Sequence, residues 1–167
     1  HVTTVRANLA AVPLATASAD ILVTLEVVEH LWDLRGFLLD CARVLRPGGR
    51  IVVTTPNRPV FSPGLGRGEK PTNPFHVEEL DDEQMDDLLR DAGFDDVDVR
   101  GLHHGPRIEE WEREHGVSIV AAQVAAVLGD GPVPDGLGAF VASVTADDFV
   151  AGPATGAQDL LAVAVRP

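Results

Sequence analysis

Residues 19–56 read ADILVTLEVVEHLWDLRGFLLDCARVLRPGGRIVVTTP, and this stretch decides the fold. A nearly continuous apolar run over residues 21–25 predicts a strand that is buried on both faces of a parallel sheet. Over residues 34–45 the apolar positions recur every three or four residues, which predicts a helix with one buried face. The Pro-Gly-Gly sequence at 47–49 ends that helix, and a second buried strand begins at Ile51. Two parallel strands joined by a helix form a right-handed unit, so the stretch predicts an α/β fold.

The composition indicates one globular domain, because 45% of the 167 residues are hydrophobic and 23% are charged. The formal net charge of -13 argues against binding to nucleic acid or to an anionic membrane surface. A neutral or cationic small substrate is therefore the expected partner, and a homodimer stays open. The single cysteine, Cys41, excludes a disulfide framework. No secretory signal or membrane-spanning apolar run is visible, which predicts a cytoplasmic protein.

Ionisable residues follow the first predicted strand. Glu26, Glu29 and His30 are spaced i, i+3 and i+4, so all three project on one side if a helix starts at this turn. Ligands of such sheets bind at the carboxyl ends of the strands. The chemistry of this chain is therefore expected at the end of the first strand.

Two segments on either side of the predicted helix carry a family resemblance. LEVVEHL at 25–31 and LRPGGRIVVTTPN at 45–57 resemble the second half of a class I S-adenosylmethionine-dependent methyltransferase. The resemblance implies a Rossmann-like sheet, seven-stranded in the family, whose last strand runs antiparallel between its two predecessors. Residues 1–167 would be the C-terminal part of a single methyltransferase domain. Its N-terminal strands and Gly-rich loop are then expected on roughly a hundred residues before His1.

The resemblance also implies contacts to S-adenosyl-L-methionine as the cofactor. Asn8 and Leu9 follow a short strand expected over residues 1–8, in the place where the family binds adenine through a side chain and the next backbone N–H. Leu25 and Glu26, at the tip of the next strand, are the other expected cofactor contacts. The alternative for Asn8 is an ordinary polar turn residue at the end of a strand.

The Glu-Glu-His turn resembles an element that binds a divalent cation in some methyltransferases, together with a downstream histidine. Glu26, Glu29, His30 and His76 would then hold the cation, for example Mg²⁺. The alternative is a site without metal, because Glu-His at this place is also common in relatives that bind none. In that case His30 is the first choice of general base and His76 the second, while Glu29 orients the imidazole. A purely structural role, in which His30 only hydrogen-bonds a loop, is the third alternative.

Several polar residues near strand ends are candidates for substrate binding. Asn57 ends the second strand of the βαβ unit, and His103, His104 and Arg107 follow a later strand. Turn capping or a solvated turn is the competing interpretation for each of them. The Pro- and Gly-rich segment at 59–76 predicts a long loop that covers or binds a ligand.

The remaining periodicity predicts helices over 81–92 and 108–128, a short helix within 137–150, and strands over 97–102 and 159–166. A Gly- and Pro-rich break is expected over 129–138. By resemblance, residues 103–155 form an insertion that covers the substrate.

Further segments are similar to one group of methyltransferases, namely ANLAAVPL, VVEHLWD, CARVLRPGG, NPFH and HGPR. They resemble the mycobacterial sugar O-methyltransferases of methylglucose lipopolysaccharide synthesis. The resemblance implies methylation of a sugar hydroxyl on a polysaccharide precursor, of the methylglucose or methylmannose type. Two other classes stay open. One is a small-molecule methyltransferase that acts on a quinol or polyketide, and the other is a non-catalytic methyltransferase-like binding domain.

Overall fold

The βαβ unit predicted from residues 19–56 is present in the computed structural model, which describes residues 3–71, 73–129, 131 and 133–167. Strand β1 (Ala19–Leu25) is followed by helix α1 (Leu34–Val44) and strand β2 (Leu45–Pro56). The Asp33 side chain accepts a hydrogen bond from Gly36 N and so caps the start of α1. The helix ends at Val44, and the Pro-Gly-Gly sequence lies within the first residues of β2.

The other elements follow in chain order. They are α2 (Arg58–Phe61), α3 (Asp82–Asp91), β3 (Asp95–His104), α4 (Pro106–His115), α5 (Ile119–Leu128), α6 (Leu137–Ser143), β4 (Phe149–Gly152) and β5 (Asp159–Val165). Short 3-10 helices cover Val28–His30 and Ala146–Asp148. The predicted loop at 59–76 and the predicted break at 129–138 include Thr72, Asp130 and Pro132, which lie outside the described residues.

The five strands form one sheet in the order β1-β2-β5-β3-β4. β1 pairs with β2 in parallel, and β5 pairs antiparallel with both β2 and β3. The final strand is therefore inserted antiparallel between β2 and β3, which are the two strands that the sequence analysis predicts before it, as the resemblance implies. The register aligns Leu25 with Thr54 and Pro56 with Asp159. The carboxyl ends of β1 and β2 and the start of β5 consequently meet at one edge of the sheet.

The predicted burial of β1 on both faces is wrong for this chain. Ile21, Val23 and Leu25 are 63%, 57% and 55% exposed, while Thr24 is 6% exposed. The physical reason is position, because β1 lies at the edge of the five-stranded sheet and the described residues leave one of its faces open. Hydrophobicity alone does not report whether a neighbouring layer is present.

The strand expected over residues 1–8 is not found over residues 3–8, and residues 1 and 2 lie outside the description. A strand needs a hydrogen-bonded partner, and none of the described strands pairs with residues 3–8. The next residues are fastened to α1 instead. Asp40 accepts from Val12 N at 2.6 Å, and Arg43 donates to the carbonyl of Leu14 at 2.8 Å.

The main core lies between the sheet, α1 and α3. It is built from apolar side chains at helical and strand spacing, among them Leu38, Cys41, Leu45, Ile51, Met85, Leu89, Phe94 and Leu160. Cys41 is a free, buried thiol, and burial raises its pKa to about 12. Helix α3 begins one residue after its cap Asp81, which forms a reciprocal capping box with Gln84.

Residues 103–150 form a compact unit of their own, separate from the unit of 1–102 and 151–167. The predicted helix at 108–128 is two helices, because Gly116 takes a left-handed φ of 63° and Ser118 caps the start of α5. Trp111 stacks on Phe140 with ring centroids 5.2 Å apart and anchors this second core. The expected role of residues 103–155 as a cover for substrate stays a prediction. Among the described residues, no helix is both long and apolar enough to cross a bilayer.

Candidate functional site

The chain leaves β1 through a sharp turn at Glu26. Its φ is +52°, a left-handed conformation that non-glycine residues adopt uncommonly and often near functional sites. The backbone N–H of Glu26 donates to the carbonyl of Thr54 at the end of β2, at 3.1 Å. A single 3-10 turn, Val28–His30, follows in place of the helix that the i, i+3, i+4 spacing presupposes. The helical geometry that would place Glu26 on the same side as Glu29 and His30 is therefore absent at this turn.

Glu29 is held beneath the surface by the neighbouring strand. It is 2% exposed, and its Oε2 accepts a hydrogen bond from Thr55 Oγ1 at 3.1 Å. Its other oxygen, Oε1, lies 3.5 Å from His30 Nε2. The side chain of His30 is 44% exposed, and its Nδ1 lies 2.7 Å from the carbonyl oxygen of Phe75. A carbonyl only accepts, so Nδ1 of His30 carries a proton.

The segment between α2 and α3 brings His76 to the same place. Val77 N donates to the carbonyl of Glu29 at 2.7 Å, which fastens the segment to the turn after β1. The rings of His30 and His76 meet edge to face with centroids 5.1 Å apart. His76 is 8% exposed, and its Nδ1 lies 2.7 Å from Glu79 Oε1. The predicted ligand-binding loop thus contributes a buried imidazole to the site.

Glu29, His30 and His76 form what we call the His-Glu centre. Each offers one donor atom, and these three atoms lie within 4.8 Å of one another. Glu26, the fourth residue of the predicted cation site, is not in this group. The group fits a divalent cation chemically, because hydrogen bonds orient all three ligands. Each histidine contacts an oxygen through Nδ1, which leaves Nε2 for a cation, and the Glu29 carboxylate accepts a hydrogen bond from Thr55. Two imidazoles and one carboxylate suit Mn²⁺ or Zn²⁺ better than Mg²⁺, whose ligands are mainly oxygens.

Asp159 is a further carboxylate at this edge that the sequence analysis missed. It lies opposite Pro56, at the start of β5. Burial and the negative charges of Glu26 and Glu29 raise the pKa of Asp159 to about 7. Burial of the carboxyl group and the charge of Glu29 also raise the pKa of Glu26, against a hydrogen bond from Thr54 and the opposing effect of His30. The edge is therefore crowded with carboxyl groups, one of which exchanges its proton near neutral pH.

The expected cofactor contacts at Asn8, Leu9, Leu25 and Glu26 stay predictions. Asn8 Oδ1 accepts from Ala10 N at 3.0 Å, so this side chain caps its own turn, as the alternative interpretation anticipates. Leu9 is 37% exposed, and Leu25 belongs to the open face of β1.

The expected substrate contacts are engaged in the fold. Asn57 is 3% exposed and donates through Nδ2 to the carbonyls of Ala154 and Ala157, both at 2.8 Å. Both amide hydrogens are thus used within the fold, and the expected substrate contact of Asn57 stays a prediction. No periodicity could have revealed this contact, because its partners lie about a hundred residues further along the chain.

His103, His104 and Arg107 belong to the second unit. His104 Nδ1 lies 3.1 Å from Glu112 Oε1. Arg107 donates to Asp148 Oδ2 at 2.8 Å and lies over the ring of Phe140. The structure gives His104 and Arg107 partners inside their own unit, which favours a structural role over a free substrate contact.

The comparisons with known proteins agree with this architecture. Residues 1–53 match the family described as Methyltransferase domain. The whole chain is 46% identical to a probable S-adenosylmethionine-dependent methyltransferase of Mycobacterium tuberculosis and covers 62% of that protein. In a solved structure, a methyltransferase of Thermotoga maritima described as a possible histamine N-methyltransferase superposes on 99% of the chain. That match covers 65% of the Thermotoga chain, at a TM-score of 0.63 and 14% identity.

The chain has the fold of an S-adenosylmethionine-dependent methyltransferase. It is also 32% identical to a ubiquinone biosynthesis O-methyltransferase of Cereibacter sphaeroides, over 70% of this chain and 53% of that protein. The chain spans about three fifths of the length of the mycobacterial relative and about half of the ubiquinone enzyme. In this methyltransferase fold, the His-Glu centre lies at the carboxyl edge of the parallel strands, where ligands of such sheets bind.

Proposed function

We propose that this protein is an S-adenosylmethionine-dependent O-methyltransferase that acts on a sugar hydroxyl of a polysaccharide precursor. One observation carries the proposal. In a methyltransferase fold, Glu29, His30 and His76 bring their donor atoms within 4.8 Å of one another at the ligand-binding edge of the sheet. An acceptor hydroxyl placed against this centre meets two imidazoles and a buried carboxylate.

The cofactor, when bound, supplies a methyl group on a sulfonium sulfur and leaves as the thioether. The work of the protein is to align the acceptor oxygen and to remove its proton, because a sugar hydroxyl is a weak nucleophile. His30 and His76 each have an Nε2 atom on the side away from their Nδ1 hydrogen-bond partner. An imidazole of the centre takes the proton, and Glu29 Oε1, which lies 3.5 Å from His30 Nε2, would stabilise the imidazolium that His30 becomes.

A divalent cation in the His-Glu centre would be the alternative to an imidazole base, because a ring nitrogen that binds the cation cannot also take the proton. Glu29, His30 and His76 would hold it, and it would supply Lewis-acid help for ionisation of the acceptor hydroxyl. Thr55, Phe75 and Glu79 fix the three ligands from behind, which is the arrangement that makes a metal site selective and tight.

Charge supports a neutral acceptor. The net charge is -13, and Glu26, Glu29 and Asp159 gather at the proposed site. These negative charges would repel phosphorylated or carboxylated acceptors, whereas they would not repel uncharged sugar rings. A quinol is the second candidate, and its support is the similarity over 70% of the chain to the ubiquinone biosynthesis O-methyltransferase.

The test uses the natural full-length protein. Calorimetry with S-adenosylhomocysteine measures cofactor binding, and transfer of a labelled methyl group is followed to methylglucose oligosaccharides, methylmannose oligosaccharides and a short-chain quinol. We expect binding, and transfer to one of the oligosaccharide series. His76→Ala is the matched inactive control. Transfer to the quinol alone would replace the sugar proposal by the second candidate, and binding without any transfer would identify a non-catalytic domain.

A further inference from the structure

His76 differs from His30 in what lies behind its ring. The Nδ1 atom of His30 faces the neutral carbonyl of Phe75, whereas that of His76 faces the carboxylate of Glu79 at 2.7 Å. Glu79 is 1% exposed, and it lies three residues after His76 in the segment that docks on the turn after β1. A carboxylate this deeply buried is rare unless it is paired or has a function.

The hydrogen bonds around His76 determine which nitrogen carries the proton. Asn73 Nδ2 lies 3.0 Å from His76 Nε2, and Asn73 Oδ1 accepts from Phe75 N at 3.0 Å. The second bond orients the amide so that its nitrogen faces the imidazole. An amide nitrogen only donates, so Nε2 must accept and the neutral ring must carry its proton on Nδ1. Glu79 then accepts that proton in a hydrogen bond.

The second oxygen of Glu79 points to a state in which His76 carries more positive charge. Oε2 is buried and has no hydrogen-bond partner among the described residues. A buried carboxylate with one hydrogen bond is costly as long as the facing imidazole is neutral. The same carboxylate becomes favourable when a proton or a cation binds at Nε2 and the ring shares the positive charge.

We propose that Glu79 is a positioning residue that holds His76 as the Nδ1-protonated tautomer and aims the Nε2 lone pair at the His-Glu centre. The acceptor replaces the amide of Asn73, whose Nδ2 lies 3.0 Å from Nε2 of His76.

The consequence for catalysis rests on the proposed function. The acceptor O–H passes its proton to His76 Nε2 while its oxygen bonds to the methyl carbon. The carbon–sulfur bond breaks, its electron pair stays on sulfur, and the imidazolium later releases the proton to water.

The direct test is ¹⁵N NMR of the full-length protein with labelled histidine at pH 8, with His76 assigned by His76→Gln. We expect a protonated Nδ1 on His76 in the parent and in the control Glu78→Gln, whose carboxylate is the neighbouring one. Glu79→Gln is combined with Asn73→Ala, because the Asn73 amide would otherwise still donate to Nε2. The replacement amide at position 79 can donate as well as accept, so we expect a mixture of both tautomers in the double variant. Glu79→Asp keeps the carboxylate and should keep the parent tautomer. A parent protein protonated at Nε2, or an unchanged tautomer in the double variant, would overturn the proposal.

Steady-state kinetics distinguish a positioning role of Glu79 from a role in stabilising the fold. We expect Glu79→Gln to lower kcat by about 10–100-fold with an unchanged KM for the methyl donor, and Glu79→Asp to recover part of the loss. If Glu79→Gln does not fold, Asn73→Ala decides, because it removes the other partner of His76 and should leave the tautomer unchanged. A tautomer that follows Asn73 instead would refute the role of Glu79. Absence of methyl transfer by the parent would count against the proposed function alone, since the NMR result does not depend on turnover.

Discussion

The hydroxyl of Thr55 donates a hydrogen bond of 3.1 Å to Oε2 of Glu29, and both residues are buried. This bond connects the end of β2 to the centre after β1, and it occupies the oxygen of Glu29 that does not face His30. Glu29 therefore presents one oxygen to the site in a fixed direction.

Thr55→Val tests this connection. Valine keeps the shape but leaves Glu29 Oε2 buried without a donor, so we expect the free energy of unfolding to fall by about 1–3 kcal/mol. Urea denaturation measures this change. Thr55→Ser retains the hydroxyl and should lose roughly 1 kcal/mol or less, the value of one methyl group. Equal losses in the two variants would show that packing, and not the hydrogen bond, is what Thr55 contributes.

The two imidazoles of the His-Glu centre should act as a unit. We expect His30→Ala to lower kcat by about 10²-fold or more while S-adenosylhomocysteine binds as in the parent. His76→Ala should have a similar effect, and the double variant should lose little more than either single variant. Steady-state kinetics and calorimetry on the three variants measure this. Strictly multiplicative losses would show that the two histidines act independently.

Cation binding is expected at the His-Glu centre. Mn²⁺ titration followed by electron paramagnetic resonance should show one site, and His76→Ala should weaken it by at least about 100-fold, since second-shell changes alone cost 10–100-fold. Asp86→Asn, on an acidic and exposed part of α3, is the control for non-specific binding. If methyl transfer is insensitive to EDTA and His76→Ala binds Mn²⁺ as the parent does, the His-Glu centre does not use a metal.

Asp159 should make stability depend on pH. Its pKa is raised to about 7 from the usual 3.8, so the native state binds a proton that the unfolded state releases between these values. The stability that this proton provides is complete below pH 3.8 and is lost as the pH rises through 7. Each pH unit between the two pKa values changes the free energy of unfolding by about 1.4 kcal/mol, so the full change is at most roughly 4 kcal/mol.

Asp159→Asn removes this pH dependence, so we expect it to raise the free energy of unfolding at pH 8, by about 2 kcal/mol or more, and to change little at pH 4. Urea denaturation at both pH values in the presence of EDTA measures this, because a bound cation would offset the carboxylate charges. An equal effect at the two pH values would contradict a raised pKa.

Periodicity was sufficient for most of the secondary structure. The apolar spacing over residues 34–45 and 81–92 predicted α1 and α3 to within a residue or two, and the apolar run near the C-terminus predicted β5. The open face of β1 was not predictable from its residues, because Ile21 and Val23 are apolar whether or not another layer covers them.

The candidate site was predicted in part. Glu29 and His30 are close in sequence, and His76 came from the resemblance. Glu26 was included because a helix was assumed at this turn, and the left-handed φ of 52° removes that geometry. No local signal pointed to Asp159, which reaches the same edge only through strand pairing.

The sequence by itself determined the βαβ unit and the buried faces of the helices, since these depend on side chains a few residues apart. Only the tertiary structure decided which polar groups meet. The carboxylate of Glu79 behind His76 and the hydroxyl of Thr55 behind Glu29 are contacts made when a long loop docks on a strand end. Such contacts follow from hydrogen-bond geometry in three dimensions, which spacing along the chain does not contain.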